Sequence, residues 1–470
     1  MSEYRLEKDS IGVKEVPKEA YYGVQALRGA ENFNITGLRL HPEMIRSLAE
    51  VKKASAIANK EAGLMQQNVC SAIVQACDEI LDGKLHDAFI VDPIQGGAGT
   101  SMNMNANEVI ANRAIELLGG EKGDYSLVHP NDHVNFGQST NDVIPTAGKI
   151  TAIRLSQALL SELDRLTAAL ERKSEEFDGV LKMGRTQMQD AVPIRLGQEF
   201  HAYASAVKRS TARIRTAVQE LYTVNMGGTA IGTGLNADET YFRTVVPTLS
   251  EVTGLPLKQA DDLIDATQHL DSFTAVSGAL KATAVALSKI ANDLRLMSSG
   301  PRTGFGEISL PARQNGSSIM PGKVNPVIPE VVSQAAFQVM GSDCTIQMAA
   351  EAGQLELNAF EPVLFFNLFL SMDVLKNAVS TFIDNCISGI TANEDRCRAL
   401  VEQSVGVITA LCPHVGYQKA AEAAKKALKT GKPVRAVILE EGLMKEEDLC
   451  RVLDAFAMTQ PGIAAKDLLK

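Results

Sequence analysis

Apolar residues recur at helical spacing along most of this chain. Five stretches carry the pattern furthest, with apolar residues every three or four positions. They are residues 149–178, 198–226, 273–297, 329–347 and 362–387. A helix of about 25 residues extends for roughly 40 Å, at 1.5 Å per residue. The pattern therefore predicts an all-α fold built around a long central five-helix bundle.

Shorter elements are predicted on both sides of this bundle. A helix should begin at Pro42, others should cover 69–81 and 107–118, and residues 1–40 have the turn-rich character of an irregular arm. After position 392 the chain changes to charge clusters and Gly/Pro breaks. We therefore expect three domains, which are a mostly helical N-terminal domain (1–138), a central bundle domain (139–392) and a small helical C-terminal domain (393–470).

Apolar stripes on more than one face of the long helices favour a homo-oligomer, because such faces need neighbours. A single elongated monomeric bundle is the alternative. The net charge is −10 and no run of Lys or Arg resembles a nucleic-acid or membrane patch, which argues against such partners. We find no signal-peptide pattern and no stretch that we expect to span a bilayer. Seven scattered cysteines without Cys-x-x-Cys pairs indicate free thiols in a reducing cytoplasm.

The loop at 316–330 has the strongest chemical pattern in the chain. Ser317 and Ser318 are followed by Lys323 and Asn325 among glycines and prolines, and Glu330 lies where the next helix should start. Helix N-termini attract small anions through unpaired N–H groups and partial positive charge. An ordinary Gly/Ser surface loop is the alternative, but a lysine and an amide at this spacing favour a binding site.

Other polar clusters also precede predicted helices. Thr100 lies in a glycine-rich segment at 95–105, and Ser139, Thr140 and Asn141 directly precede a long helix. Any one of them fits an ordinary N-cap, although four cap-forming residues in a row at 139–142 suggest a second role. The clusters supply hydroxyls, amides and one lysine, without metal-ligand spacing. Such donors suit carbanion chemistry on a small carboxylic acid, where negative charge accumulates.

Three motifs resemble the signature regions of the fumarase/aspartase superfamily. They are Gly-Ser-Ser-Ile-Met-Pro-Gly-Lys-Val-Asn at 316–325, Gly-Gly-Ala-Gly-Thr-Ser-Met-Asn-Met-Asn at 96–105 and Gln-Ser-Thr-Asn-Asp at 138–142. The similarity extends essentially end to end, and the aspartase branch is the most similar. It implies reversible anti-elimination of ammonia from L-aspartate to fumarate through an aci-carboxylate intermediate. A class II fumarase acting on L-malate is the alternative, and a catalytically inactive bundle is a more distant one.

The resemblance implies a role for each matching position. Ser317 resembles the general base that removes the C3 proton. Four hydroxyls resemble the donors to the β-carboxylate: Thr100, Ser139, Thr140 and Ser318. Lys323 and Asn325 resemble the clamp on the α-carboxylate. Glu330 matches a glutamate that supports the site in class II fumarases.

The amino group of the substrate would be surrounded by Asn141, Thr186 and Gln187. Class II fumarases carry a histidine at the position of Gln187, since hydroxide is a poor leaving group that gains from an acid. An ammonium group already carries its proton and needs acceptors, which amide oxygens supply. Some aspartases have glutamine here and others histidine, so this residue argues against a fumarase more than it proves an aspartase. A neutral substitution is the alternative.

The resemblance further implies a homotetramer whose long helices join in one multi-helix core and whose active sites are shared between subunits. It implies no cofactor; some aspartases are activated by magnesium, but no residue here can be assigned to a metal. His129, Asn131 and Asp132 fall where fumarases have a second dicarboxylate site, and a purely structural turn is the alternative.

Overall fold

Helices dominate the computed structural model, which describes residues 3–469. In chain order the α-helices are α1 (Val24–Asn32), α2 (Pro42–Glu61), α3 (Gln67–Leu81), α4 (Thr100–Leu117), α5 (Thr140–Glu176), α6 (Leu196–Val218), α7 (Glu239–Thr253), α8 (Leu263–Gln268), α9 (Asp271–Met297), α10 (Val327–Glu351), α11 (Glu361–Asn385), α12 (Glu394–Gln403), α13 (Cys412–Val415), α14 (Tyr417–Thr430), α15 (Val434–Glu440) and α16 (Glu446–Val452). The predicted helical class is confirmed.

The strands are short and pair in twos. They are β1 (Tyr4–Lys8), β2 (Val13–Pro17), β3 (Leu181–Thr186), β4 (Gln189–Arg195), β5 (Thr223–Val224), β6 (Lys258–Gln259), β7 (Ile308–Ser309) and β8 (Thr391–Ala392). The pairs β1–β2, β3–β4 and β7–β8 are antiparallel, and β5–β6 is parallel. The prediction of an irregular arm over residues 1–40 is wrong in part, because β1, β2 and α1 lie there.

The five long helices correspond to α5, α6, α9, α10 and α11, but some ends differ from the prediction. Helix α5 begins at Thr140, within the cluster that was expected to precede it and ahead of the Gly/Pro-free stretch at 149–178, with Pro145 inside it. Helix α4 begins at Thr100 rather than at 107. Helix α6 ends at Val218 rather than at 226, because a 3₁₀ turn (Gln219–Tyr222) and β5 follow. The two earlier starts place predicted site residues at helix N-termini.

The chain divides into two compact units, and the division falls within each of the five long helices. Unit 1 comprises the residues up to Leu160 together with Ala212–Ala282 and Phe337–Leu375. In it α2 packs against α3 and α7, and α3 packs against α4. Unit 2 comprises Ser161–Thr211, Thr283–Ala336 and the residues from Lys376 onward. It contains the β3–β4 hairpin and an apolar cluster between α14, α15 and α16.

One segment differs from the expectation that nothing in the chain is long and apolar enough to span a bilayer. Glu361–Gly389 meets that test by length and composition, although the core helix of a soluble protein meets the same test. Within this helix the Asp373 Oδ2 lies at hydrogen-bonding distance from the His41 Nε2, at 2.9 Å. Since ionisable side chains are rare in spanning segments, this pair is typical of a core helix.

Candidate active site

The residues predicted for the site lie in both units. Unit 1 contains Thr100, Ser139, Thr140 and Asn141; unit 2 contains Thr186, Gln187, Ser317, Ser318, Lys323, Asn325 and Glu330.

Thr100 is the first residue of α4 and is exposed. Gly97 and Gly99 before it have φ values of 82° and 88°, in the left-handed region that favours glycine. A Cβ on Gly99 would lie 3.0 Å from Cγ2 of Ile144, so the turn also packs closely against α5. The Thr100 Oγ1 donates to the Gly97 carbonyl at 2.7 Å. The glycine-rich segment is thus a tight helix entry that presents a hydroxyl at a helix N-terminus.

Residues 139–142 form a capping box at the start of α5. The Ser139 Oγ accepts a hydrogen bond from the Asn141 N–H at 3.2 Å, and the Asp142 Oδ1 accepts one from the Ser139 N–H at 2.9 Å. The Thr140 Oγ1 accepts from the Asn103 Nδ2 at 3.3 Å. Because that bond uses the oxygen as an acceptor, the hydroxyl hydrogen of Thr140 stays available for a ligand.

A buried polar network lies behind this helix start. Lys52 on α2 is fully buried, and its Nζ donates to the Asn135 Oδ1 at 2.8 Å and to the Gln138 Oε1 at 2.9 Å. The same Asn135 oxygen accepts from the Nδ2 atoms of Asn103 and Asn107, each at 3.2 Å. Burial of the ammonium group lowers the pKa of Lys52 to about 7. The network braces the turn that leads into Ser139.

Sequence reasoning did not find Lys52, although a signal was present. It follows the buried Leu48 by four positions, so a lysine occupies the apolar face of α2. A charge at such a position needs buried partners.

Asp142 is also fully buried, and burial raises the pKa of its carboxyl group to about 6. Its Oδ2 accepts hydrogen bonds from the backbone N–H groups of Gly227 at 3.1 Å and Thr229 at 3.0 Å. Asp142 therefore joins the start of α5 to the glycine-dense turn at 225–236.

Thr186 and Gln187 lie at the tip of the β3–β4 hairpin, where Thr186 pairs with Gln189. The two turn residues, Gln187 and Met188, have φ values of 53° and 63°. Two-residue hairpin turns with positive φ favour Asn-Gly, and a non-glycine pair there is strained. Such strain is concentrated at functional sites. Gln187 is exposed, so its amide is available to a ligand.

Ion pairs hold the first strand of this hairpin, one of them directly beside the tip. The Arg185 Nη1 lies 2.9 Å from the Oε1 of the fully buried Glu307, and its guanidinium lies 4.0 Å from the centre of the Phe305 ring. The Lys182 Nζ lies 3.0 Å from the Glu199 Oε2. Sequence reasoning missed the hairpin and these anchors, because the segment was interpreted as a polar loop before a helix.

The loop at 316–325 is closed on itself. The Gly316 N–H donates to the Lys323 carbonyl at 2.8 Å, and the Asn325 Nδ2 donates to the Gly316 carbonyl at 2.7 Å. A Cβ on Gly316 would lie 2.6 Å from that Lys323 oxygen, so only glycine fits. The Ser317 Oγ accepts from the N–H groups of Ile319 at 3.2 Å and Met320 at 3.0 Å.

The outer part of this loop faces away from the protein. Ser318 and Lys323 are exposed, and the Ile319 residue is 82% exposed. Glu330, in the first turn of α10, is partly buried, and its Oε1 lies 3.9 Å from the Arg295 Nη2. The loop thus presents a cation and two hydroxyls near a helix start.

The segment at 129–132 forms a compact turn. The His129 Nδ1 accepts hydrogen bonds from the N–H groups of Asn131 at 3.2 Å and Asp132 at 3.1 Å, and so caps the π-helix Pro130–Val134. His129 and Asn131 also line a polar cavity of about 510 Å³ with Arg28. Within residues 3–469, no three His, Cys, Asp or Glu side chains are grouped as a metal site.

Comparison with known families matches almost the whole chain. Residues 12–341 match the family described as Lyase, and residues 407–460 match the family described as Fumarase C C-terminus. An aspartate ammonia-lyase of Bacillus subtilis (strain 168) is 57% identical over 468 residues, which are 100% of this chain and 98% of the relative. The aspartate ammonia-lyase of Escherichia coli (strain K12) is 49% identical, with 98% and 97% of the two chains covered.

Two solved structures are similar to this chain over nearly its whole length. A fumarate lyase:delta crystallin from Brucella melitensis, bound to cobalt, superposes with a TM-score of 0.95 at 51% identity and covers 97% of this chain and 100% of its own. A class II fumarase from Schistosoma mansoni superposes with a TM-score of 0.94 at 36% identity, with 97% and 99% covered.

Proposed function

The chain belongs to the lyase family of aspartases and fumarases, and we infer that it is an aspartate ammonia-lyase. The observation that carries this inference is the identity of 49–57% over the full length of relatives with that activity. The class II fumarase is 36% identical, and the fumarase alternative is not favoured. The enzyme is a carbon–nitrogen lyase that interconverts L-aspartate with fumarate and ammonia.

Ser317 is the proposed general base for the C3 proton. A serine hydroxyl is a very weak acid, so its alkoxide needs donors aimed at Oγ. The N–H groups of Ile319 and Met320 already donate to that atom, which supports the assignment. When Ser317 takes the proton, the electron pair of the C–H bond moves onto the β-carboxylate and forms the aci-carboxylate. That group then carries most of the developing charge.

Hydroxyl groups are proposed to stabilise this charge. The donors are Thr100, Ser139, Thr140 and Ser318, and the Thr100 hydroxyl would turn from the Gly97 carbonyl to the substrate. Thr100 begins α4 and Ser139 precedes α5, so both stand where helix N-termini favour an anion. Preorganised donors of this kind are usually the largest electrostatic contribution to such a reaction.

Lys323 and Asn325 are proposed to hold the α-carboxylate, and Glu330 to support the loop at the start of α10. Lys323 is exposed, so we propose that substrate binding closes the loop and excludes water from the base. Asn141, Thr186 and Gln187 are proposed to surround the amino group. Gln187 supplies an amide oxygen to an ammonium group but no acid for a leaving hydroxide, in keeping with ammonia as the leaving group.

We propose a homotetramer in which each site combines clusters from different subunits. Phe337, Cys344 and Met348 occupy one side of α10, at intervals of seven and four residues. Phe337 is 60% exposed and Met348 is 66% exposed in the single subunit. Large apolar side chains grouped on an exposed helix face mark an interaction surface. The three domains proposed for each subunit are 1–138, 139–392 and 393–470.

We expect the protein to have the mass of a tetramer in size-exclusion chromatography with light scattering. Phe337→Asp places a charge on the apolar face of α10 and should shift the mass downward, with loss of activity. Leu428→Asp is the control, because Leu428 is 68% exposed on α14, far along the chain from that face. A monomeric parent would contradict the tetramer, and a tetrameric Phe337→Asp variant would exclude this face as an interface.

A cytoplasmic location is proposed from the cysteines, all seven of which are free thiols. No cofactor is proposed for the reaction. The cobalt of the Brucella melitensis structure belongs to that protein, and the described part of this chain offers no three-ligand group to which a metal could be assigned. Activation by a divalent cation is therefore proposed without a site.

A direct assay tests the proposed activity. L-aspartate and L-malate are offered separately, and the fumarate double bond is followed by ultraviolet absorbance. We expect fumarate from L-aspartate, and a rate with L-malate that is lower by at least about 100-fold, because the site lacks an acid for hydroxide. Fumarate from L-malate alone would overturn the assignment in favour of a fumarase.

A further inference from the structure

Asp142 occupies the junction between two segments of unit 1. Its carboxylate accepts three backbone N–H groups, from Ser139 on one oxygen and from Gly227 and Thr229 on the other. The residue is fully buried. Only a carboxylate offers acceptors on both of its terminal atoms, so this position can bind both segments at once.

The turn that Asp142 holds also orients the side chain of Asn141. The Asn141 Nδ2 lies 2.7 Å from the carbonyl oxygen of Ala230, the residue after Thr229. A carbonyl oxygen can only accept, so the atom facing Ala230 must be the nitrogen of the amide. The Asn141 Oδ1 consequently points away from Ala230, and no protein donor within residues 3–469 contacts it.

The same turn also contacts the main chain of Asn141, at a carbonyl that Pro145 leaves without a helical partner. Pro145 has no N–H, so the carbonyl of Asn141, four residues earlier, lacks its helical partner. The Asn225 Nδ2 replaces that partner at 3.0 Å. The Gly228 N–H in turn donates to the Asn225 carbonyl at 3.0 Å. The turn at 225–230 thereby contacts both the main chain and the side chain of Asn141.

We propose that Asp142 is a positioning residue that fixes the Asn141 amide with its oxygen toward the ammonium group of the substrate. The proposal rests on the proposed function, in which Asn141 lies beside the amino group. An ammonium group has only donors, so an amide turned the other way would oppose N–H to N–H. By holding the turn at 227–230 on α5, Asp142 keeps an acceptor directed at the ammonium group, whose charge-assisted hydrogen bond is stronger than that of a neutral hydroxyl.

Asp142→Asn tests the proposal. The new NH₂ group faces either the Ser139 N–H or the N–H groups of Gly227 and Thr229. Facing Gly227 and Thr229, it releases the turn from α5; facing Ser139, it loosens the helix cap instead. In the addition of ammonia to fumarate, we expect KM for ammonia to rise by about 10- to 100-fold, as for a lost hydrogen bond to a charged group. The inhibition constant of succinate, which has both carboxylates but no amine, should change by less than about twofold. The contacts of the carboxylates are independent of the Asn141 amide, so losing one need not weaken the other.

Asp262→Asn is the matched control. Asp262 starts α8 and its carboxylate likewise accepts two backbone N–H groups, from Ile264 and Asp265, but α8 contains no proposed site residue. This variant should retain both the KM for ammonia and the inhibition constant of succinate. Asn225→Ala removes the hydrogen bond to the Asn141 carbonyl without removing the bond between Ser139 and Asp142. It should therefore raise KM for ammonia selectively whichever way the Asp142→Asn amide faces, and also if that variant does not fold.

If both variants weaken the binding of ammonia and of succinate equally, Asp142 only maintains the scaffold. If neither variant changes the binding of ammonia, Asp142 positions nothing. Either result overturns the proposal. The unaltered enzyme separates this failure from a failure of the proposed function: a parent that forms no aspartate from fumarate and ammonia overturns the function itself, before any variant is compared.

Discussion

Ser317→Ala is expected to remove turnover while the protein still folds and still binds a dicarboxylate. The substitution deletes one oxygen from a partly buried loop position and leaves the main-chain bond between Gly316 and Lys323 in place. The carbon acid then has no base, so kcat should fall by roughly 10²- to 10⁴-fold or more. Because an interaction made only in the transition state is lost, KM should stay nearly constant.

Stopped assays at high enzyme concentration measure the residual kcat, and succinate titration measures dicarboxylate binding. Ser309→Ala is the control, since Ser309 is exposed on β7 and its Oγ donates to the Asn393 Oδ1. Ser318→Ala should show a smaller loss than Ser317→Ala, as expected for one hydrogen-bond donor among several. Substantial turnover by Ser317→Ala would remove this residue as the base.

Lys323→Met is expected to act on binding rather than on the chemical step. Methionine retains much of the length of lysine but has no charge, so the α-carboxylate loses a charge-assisted hydrogen bond. A bond of that kind contributes about 1.5–3 kcal/mol, which corresponds to a rise in KM of about 10- to 150-fold. The binding of succinate should weaken to a similar degree, because succinate has a carboxylate equivalent to the one that Lys323 is proposed to hold.

Initial rates over a wide range of L-aspartate separate the two constants. Lys429→Met, at an exposed position on α14, removes a positive charge remote in sequence from the loop and should leave KM unchanged. A large fall in kcat with constant KM would contradict the proposed role of Lys323. The variants of Ser317, Lys323 and Asp142 thus have three distinct signatures, in kcat, in dicarboxylate binding and in ammonia binding.

The helical framework could be predicted because long amphipathic helices repeat their apolar residues at helical spacing. The way in which the first turns of α5 accommodate Pro145 could not be predicted. The helix tolerates Pro145 through a bond from Asn225, a residue distant in sequence. That contact is tertiary, and periodicity carries no information about it.

The β3–β4 hairpin was missed for a related reason. Its turn is Gln187–Met188, whereas the usual sequence signal for a two-residue turn is Asn-Gly or Asp-Gly. The turn is supported by the ion pair of the adjacent Arg185 with Glu307, a residue far along the chain. Similarly, the serines and the lysine of the 316–325 loop were found from the motif, but the N–H groups that converge on Ser317 became visible only in three dimensions.

The partly buried Arg185 and the fully buried Glu307 form an ion pair beside the hairpin tip, so a substitution there would affect both heat resistance and the proposed activity. Replacing a buried ion pair by well-packed apolar residues is often neutral or stabilising by about 1–4 kcal/mol. Here, however, the pair anchors the hairpin whose strained tip presents Gln187. An engineer who selects only for a higher melting temperature would be led to this pair, and would release the one hairpin on which the choice of leaving group is proposed to depend.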